Sequence, residues 1–393
     1  MRLVLRAAEV TGARRLIDIS AAHIDSCLYH GEASVDFVDR LVDGGARVSV
    51  PTTLNVGAVD LLHPELYRGD PAVADRGRLV MNRYRSLGAR PSYTCAPYQL
   101  AERPSFGQHV AWGESNAIAF CNSVLGARTN RYGDFLDIAA AITGRVPEAG
   151  LHLDDARHAT LVLRLGPDVP HDLLDDDALF GVLGIVLGRR AGSSVAVIAG
   201  LPPGQSEDRL KALGAAAASS GAVAMFHVIG STPEATKVHE SAPVEEVGLA
   251  ELRATRDELS TDEGEAIAAV SLGTPHASLA ELVRYASLLA GRTLPAGMEC
   301  LVSTGRDVLA EAEARGVAGQ LRDAGIELLT DTCSYVAPIL RSTGGPVMTD
   351  SGKWAYYAPA NIGVGVVFGS TAECIESAVA GRVVRHDPAW GAA

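Results

Sequence analysis

From about residue 158 to the C-terminus, short apolar runs alternate with longer amphipathic stretches, and this alternation restricts the fold more than any other feature of the chain. The runs fall at 158–165, 194–199, 222–229, 266–272, 300–303, 326–330 and 364–368. Between them, helical periodicity is read at 176–188, 278–289, 306–324 and 371–380, the last closing at Gly381. Strand and helix in turn predict parallel sheets, because parallel neighbours need a crossover long enough to return to the same edge. With 393 residues the chain is expected to hold two or three domains. Breaks near 147–150 and in the charged stretch 240–262 suggest divisions at 1–147, 148–245 and 246–393. With 41 glycines and 5% aromatics, close helix-on-sheet packing is expected.

The first region reads differently. Residues 48–131 are dense in Thr, Asn, Pro, Tyr and Gly and show few long helical patterns, as expected of long functional loops. Four stretches there and near the C-terminus concentrate hydroxyl, amide and cationic donors: 49–55 (SVPTTLN), 93–98 (YTCAPY), 112–131 and 331–357. Such donors suit a carboxylate or a similar small anion.

Six cysteines are scattered without CxxC spacing, which argues against disulfides or a zinc ribbon. Cys27, Cys121, Cys300 and Cys374 lie in apolar or helical surroundings and read as small buried hydrophobes. Cys95 lies in a polar loop and Cys333 just past a strand. In parallel α/β folds ligands gather at the carboxyl ends of strands, so both are candidate ligands or nucleophiles. The net charge of −13 argues against nucleic acid. The longest apolar stretch, 179–188, is stopped by Arg189 and Arg190, too short for a membrane span. The N-terminus, an amphipathic helix by pattern, has no signal-peptide character, and a cytoplasmic location is expected. The run Ser351-Gly352-Lys353 fails the phosphate-loop pattern, with Trp354 where Ser or Thr is needed.

Taken together, SAAHIDSCLYHG, VPTTLNV, YTCAPY, WGESNAIAF, NSVLGARTNR, SLGTPH, DTC and MTDSGKWAYYAP, in that order over nearly the whole chain, resemble the aconitase X family of dehydratases. The resemblance implies three α/β domains of aconitase-like fold, with a small swivelling domain supplied here by a separate subunit. It implies iron held by Cys95, Cys333 and a cysteine of a GCPH motif. That motif reads Gly273-Thr274-Pro275-His276 in this chain. Clusters are held by thiolates, so the threonine favours mononuclear iron over a 2Fe-2S cluster.

The chemistry implied is dehydration of a small hydroxy acid. Cis-3-hydroxy-L-proline is favoured and mevalonate 5-phosphate is the alternative in the family. A cysteine-nucleophile enzyme and a non-catalytic binding subunit are the alternatives of other classes. On this reading Ser351, Lys353 and His23 are candidate catalytic groups. Thr52, Thr53, Asn55, Ser115, Asn116, Arg128, Thr129 and Thr349 are candidate substrate-binding groups, with Arg128 suited to a bidentate carboxylate pair. The base is expected on the swivelling subunit.

Overall fold

In the computed structural model, which describes residues 1–386, 390 and 391, the strands gather into three parallel sheets and one antiparallel pair. In chain order they are β1 (Leu16–Asp18), β2 (Ala22–Ile24), β3 (Thr52–Leu54), β4 (Ala111–Trp112), β5 (Arg145–Pro147), β6 (Leu161–Leu165), β7 (Ala196–Ala199), β8 (Phe226–Val228), β9 (Val244–Val247), β10 (Ala269–Ala277), β11 (Glu299–Thr304), β12 (Glu327–Leu329), β13 (Val347–Thr349) and β14 (Val366–Phe368). The first sheet has the order β3-β2-β4, the middle sheet β8-β7-β6-β9, and the third β12-β11-β10-β13-β14. β1 and β5 pair antiparallel.

Strands β10 and β11 are buried along their whole length, as parallel strands covered on both faces must be. The apolar stretch 179–188 belongs to the helix Ala178–Ala191, which lies against the helix Glu207–Ser220. Glycines permit that contact: a Cβ at Gly184 would lie 2.4 Å from the Leu213 carbonyl oxygen. The run is therefore a core helix. Among the described residues no helix is long and apolar enough to cross a membrane.

Several elements depart from expectation. The amphipathic stretch 306–324 is two helices, Arg306–Ala314 and Val317–Asp323, broken at left-handed Gly316. The charged stretch 240–262 is ordered: it holds β9 and the helix Leu249–Glu258, whose Leu252 enters the middle core. β9 thus crosses the division expected at 245/246. The loop-rich region contains a 16-residue helix, Pro71–Ser86, capped by Asp70 accepting from the Ala72 amide. Only a narrow stripe of it is buried, including Ala74, Gly77, Val80, Met81 and Tyr84, so its polar majority hid the period. Finally, β10 does not stop at Leu272. It continues through Gly273-Thr274-Pro275-His276 with a register shift, and Gly273 takes φ +77° where a Cβ would meet the Ser303 carbonyl oxygen at 2.1 Å.

Candidate active site

The carboxyl ends of the first and third sheets face one another, and the candidate site lies where they meet. From the first sheet come Asp25 just after β2, Asn55 just after β3, Glu114 just after β4, and the loop carrying Thr94 and Cys95. From the third come Thr274 and His276 in β10, Cys333 beyond β12, and Lys353 in the helix Gly352–Ile362 that follows β13. A residue one or two positions past a parallel strand has its backbone fixed by the sheet and its side chain free to meet a ligand.

The thiol Sγ atoms of Cys95 and Cys333 and a ring nitrogen of His276 all lie within 4.8 Å of one another, and all three residues are buried. The Cys95 sulfur accepts the His276 backbone N–H at 3.2 Å. The His276 ring is held on both sides, with Nε2 3.1 Å from the Thr332 carbonyl and Nδ1 3.1 Å from the Thr94 hydroxyl. A carbonyl only accepts, so Nε2 carries a proton. Burial pushes the Cys95 thiol up, but the hydrogen bond from Cys333, with His276 and Lys353 nearby, outweighs it and brings Cys95 down to about 6. Donating that bond, together with burial, drives Cys333 the other way. The pair is therefore thiolate and thiol near neutrality. A thiolate is the form that binds metal.

Beside the thiols runs a buried ion pair, with Lys353 Nζ 2.6 Å from Glu114 Oε1. Burial opposes both charges, yet each holds the other ionised: Glu114 is drawn down to about 2 and Lys353 is raised. Asn116 donates to the same Glu114 oxygen at 2.6 Å and to the Cys95 carbonyl at 3.0 Å. Tyr98 donates to Asn116 Oδ1 at 2.8 Å. Asn55 donates to Glu114 Oε2 at 3.1 Å and to Asp25.

The two thiols fit a metal, and the third cysteine of the set that the resemblance implies is absent. Two sulfurs and an imidazole are close together, the third cysteine position is Thr274, and the buried hydroxyls of Thr274 and Thr332 lack any protein partner. Such unmatched buried oxygens are costly unless something else binds them.

The candidate residues divide. Asn55, Asn116, Lys353, Cys95 and Cys333 converge on the site. His23 sits in the middle of β2; its Nδ1 is 2.8 Å from the Thr53 hydroxyl, and burial lowers it to about 4. The Ser351 hydroxyl is already committed: it accepts the Trp354 amide at 3.0 Å, donates to the Thr274 carbonyl, and so starts the helix that carries Lys353. Thr349 accepts the Ser351 amide at 3.2 Å. Ser115 donates to Glu114 at 3.4 Å, and Thr52 closes a turn onto the Val50 carbonyl at 2.8 Å.

Arg128 and Thr129 lie elsewhere. The Arg128 guanidinium is taken by the His152 carbonyl at 2.9 Å and by Asp154, and Thr129 by the Trp112 amide at 3.1 Å and the Asn130 carbonyl at 3.0 Å. A guanidinium bound to its own carboxylate is not waiting for one from a substrate. His276, Glu114 and Asp25 were not singled out from sequence. For His276 the usable signal was its place near the end of the apolar run that becomes β10; Asp25 and Glu114 follow strands of two or three residues that leave no pattern.

Comparison with known proteins agrees with this geometry. Residues 1–155 match the aconitase X first domain, 159–262 the second and 267–380 the third. The chain is 42% identical over 99% of its length to a cis-3-hydroxy-L-proline dehydratase of Pseudomonas aeruginosa, and 40% identical over 97% to one of Hypocrea jecorina. It spans 68% and 65% of those two proteins. It is also 36% identical over 91% of its length to a phosphomevalonate dehydratase large subunit of Thermococcus kodakarensis, covering 89% of that protein. Its fold superposes on the crystal structure of Thermococcus kodakaraensis aconitase X in holo form with a TM-score of 0.87 and 34% identity, covering 96% of this chain and 94% of that one. With a metal-ready pair of thiols at the meeting point of two parallel sheets, and all three domains matched, the chain belongs to the aconitase X family.

Proposed function

We propose that this chain is the catalytic large subunit of an iron-dependent hydro-lyase that converts cis-3-hydroxy-L-proline into Δ1-pyrroline-2-carboxylate and water. The observation that carries the proposal is the Cys95–His276–Cys333 group set beside the buried Lys353–Glu114 pair. The names of the relatives from Pseudomonas aeruginosa and Hypocrea jecorina favour the substrate. The name "large subunit", borne by archaeal relatives that this chain matches over about nine tenths of their length, favours a small partner. A cytoplasmic location suits six unpaired cysteines.

Cys95 and Cys333 would hold one iron, with His276 alongside. Iron, when bound, supplies Lewis acidity toward the substrate's carboxylate and hydroxyl oxygens. The chain does the rest. Lys353 has ammonium protons to spare beyond the one Glu114 takes, and it rides in the first turn of a helix whose positive end favours an anion. Asn116 and Tyr98 fix Glu114 and the Cys95 loop so that these charges are in place before substrate arrives. Ser351 acts as a positioning residue through its cap. His23, lowered to about 4, is a weak base, so proton removal from C2 is assigned to the small partner. Loss of the hydroxyl then gives an enamine, which tautomerises to the cyclic imine.

The test is to co-express the chain with a candidate small partner, load it with ferrous iron, and compare turnover of cis-3-hydroxy-L-proline and mevalonate 5-phosphate. Turnover of the first alone supports the proposal. Turnover of the second alone, or of neither, overturns it.

A further inference from the structure

Asp25 stands one residue past the end of β2 and is half-buried. Its Oδ1 accepts from Asn55 Nδ2, and the same amide reaches Glu114 Oε2 at 3.1 Å. One amide therefore bridges two carboxylates. Glu114 has its cation, with Lys353 at 2.6 Å. Asp25 forms no ion pair among the described residues, and its remaining charged neighbours, Asp134 and Asp137, are also acidic. Two carboxylates share one ammonium, so an ionised Asp25 would be one negative charge in excess. Burial, then the charge of Glu114, push Asp25 well above the usual carboxylate range, as expected of an acid that lacks its counterion.

The Asn55 carbonyl oxygen beside it is buried with no partner within hydrogen-bonding distance, and the His23 ring faces the same Asn55 side chain. A carboxylate without a cation, next to an amide oxygen with acceptor capacity left, is what a ligand cation with N–H donors would satisfy.

We propose that Asp25, flanked by Asn55 Oδ1, recognises the ring ammonium of the substrate and restricts the site to amine-bearing hydroxy acids. This rests on the dehydratase reading above and deepens it. A phosphorylated hydroxy acid has no cation to offer there and brings more negative charge to a wall that already lacks a cation.

The test uses the iron-loaded complex, in native form and as Asp25→Asn, which keeps the side chain's shape and its acceptor for Asn55. Binding of cis-3-hydroxy-L-proline is compared by calorimetry with binding of cis-2-hydroxycyclopentane-1-carboxylate, in which a methylene replaces the ring ammonium. The native protein should prefer the amine by on the order of 10²-fold. Asp25→Asn should bring the two ligands within about threefold by weakening the amine alone. If the variant keeps the native preference, or loses both ligands equally, Asp25 does not recognise the ammonium, while the dehydratase reading stands. If the native protein binds neither ligand, that reading falls and this proposal with it.

Discussion

Where the first and middle regions meet, Arg157 is fully buried and every part of its guanidinium is engaged. It reaches Glu234 through Nε at 2.8 Å, Asn122 Oδ1 and the Leu151 carbonyl through Nη1 at 3.2 and 3.0 Å, and the Asn122 carbonyl and Glu234 through Nη2. Where the first and third regions meet, Lys353 and Glu114 form an equally buried pair, but His23, Asn55, Thr274 and Thr332 around it keep polar atoms with no partner. The chemistry of the two seams is alike; the difference is one of degree. Beside Arg157 one buried polar atom, His227 Nδ1, is left without a partner, whereas four residues keep such atoms around Lys353 and Glu114. A nearly closed network holds regions together, whereas an open one keeps binding capacity in reserve. Buried charge alone therefore does not mark a site; buried charge with several unmatched neighbours does.

The largest effect should follow loss of a thiol from the open seam. Cys95→Ser or Cys333→Ser should lower turnover by on the order of 10³-fold, because Lewis-acid assistance is worth several kcal/mol. Metal analysis should show iron falling with it, while melting temperature moves little. An active, iron-free Cys333→Ser protein would instead favour Cys95 as a nucleophile.

Next come the two ion pairs. Removing one partner of a buried pair leaves an unpaired charge and costs about 3–5 kcal/mol. Glu234→Gln should show that loss in urea unfolding and leave turnover per folded molecule near native. Lys353→Met should lose stability too, but should also lose at least ~10²-fold in turnover, as expected when a preorganised charge is removed. Equal effects of the two variants on turnover would erase the contrast between the seams.

A smaller effect is shared by both. Burial lowers His23 to about 4, and burial, then His109 and the nearby arginines, lower His152 to about 3, both from 6.5. In each case the unfolded chain takes up a proton before the folded one does. The stability they contribute is thus complete above about 6.5 and is lost as pH falls toward 4, by up to about 3 kcal/mol per histidine. Urea unfolding between pH 7 and 4 should show this slope, and His152→Gln should flatten it without changing iron content.

The smallest change expected is at Thr274. Thr274→Cys supplies a third thiol and should alter the visible charge-transfer absorption of the iron-loaded protein while changing turnover by only a few fold. An unchanged spectrum would remove Thr274 from the metal's surroundings.

The third region was readable in the sequence because its strands are apolar runs separated by helices, and a buried parallel strand has no other way to look. The first sheet was not readable. Its strands are two or three residues long, too short for any period, so His23, inside β2, carries no strand signal. Cys95 and Cys333 stood out through their loop settings. Glu114 did not, because its partner Lys353 is 239 residues away. Arg128 misled for the opposite reason. It shares a motif with polar neighbours, but it turns to Asp154, a contact that only the folded chain reveals.

The most direct test of the account is iron content measured together with turnover of cis-3-hydroxy-L-proline, on the chain purified anaerobically with its proposed small partner. The account predicts close to one iron per chain, turnover that disappears with a chelator, and recovery when ferrous iron is returned. Full turnover in protein stripped of iron would contradict it.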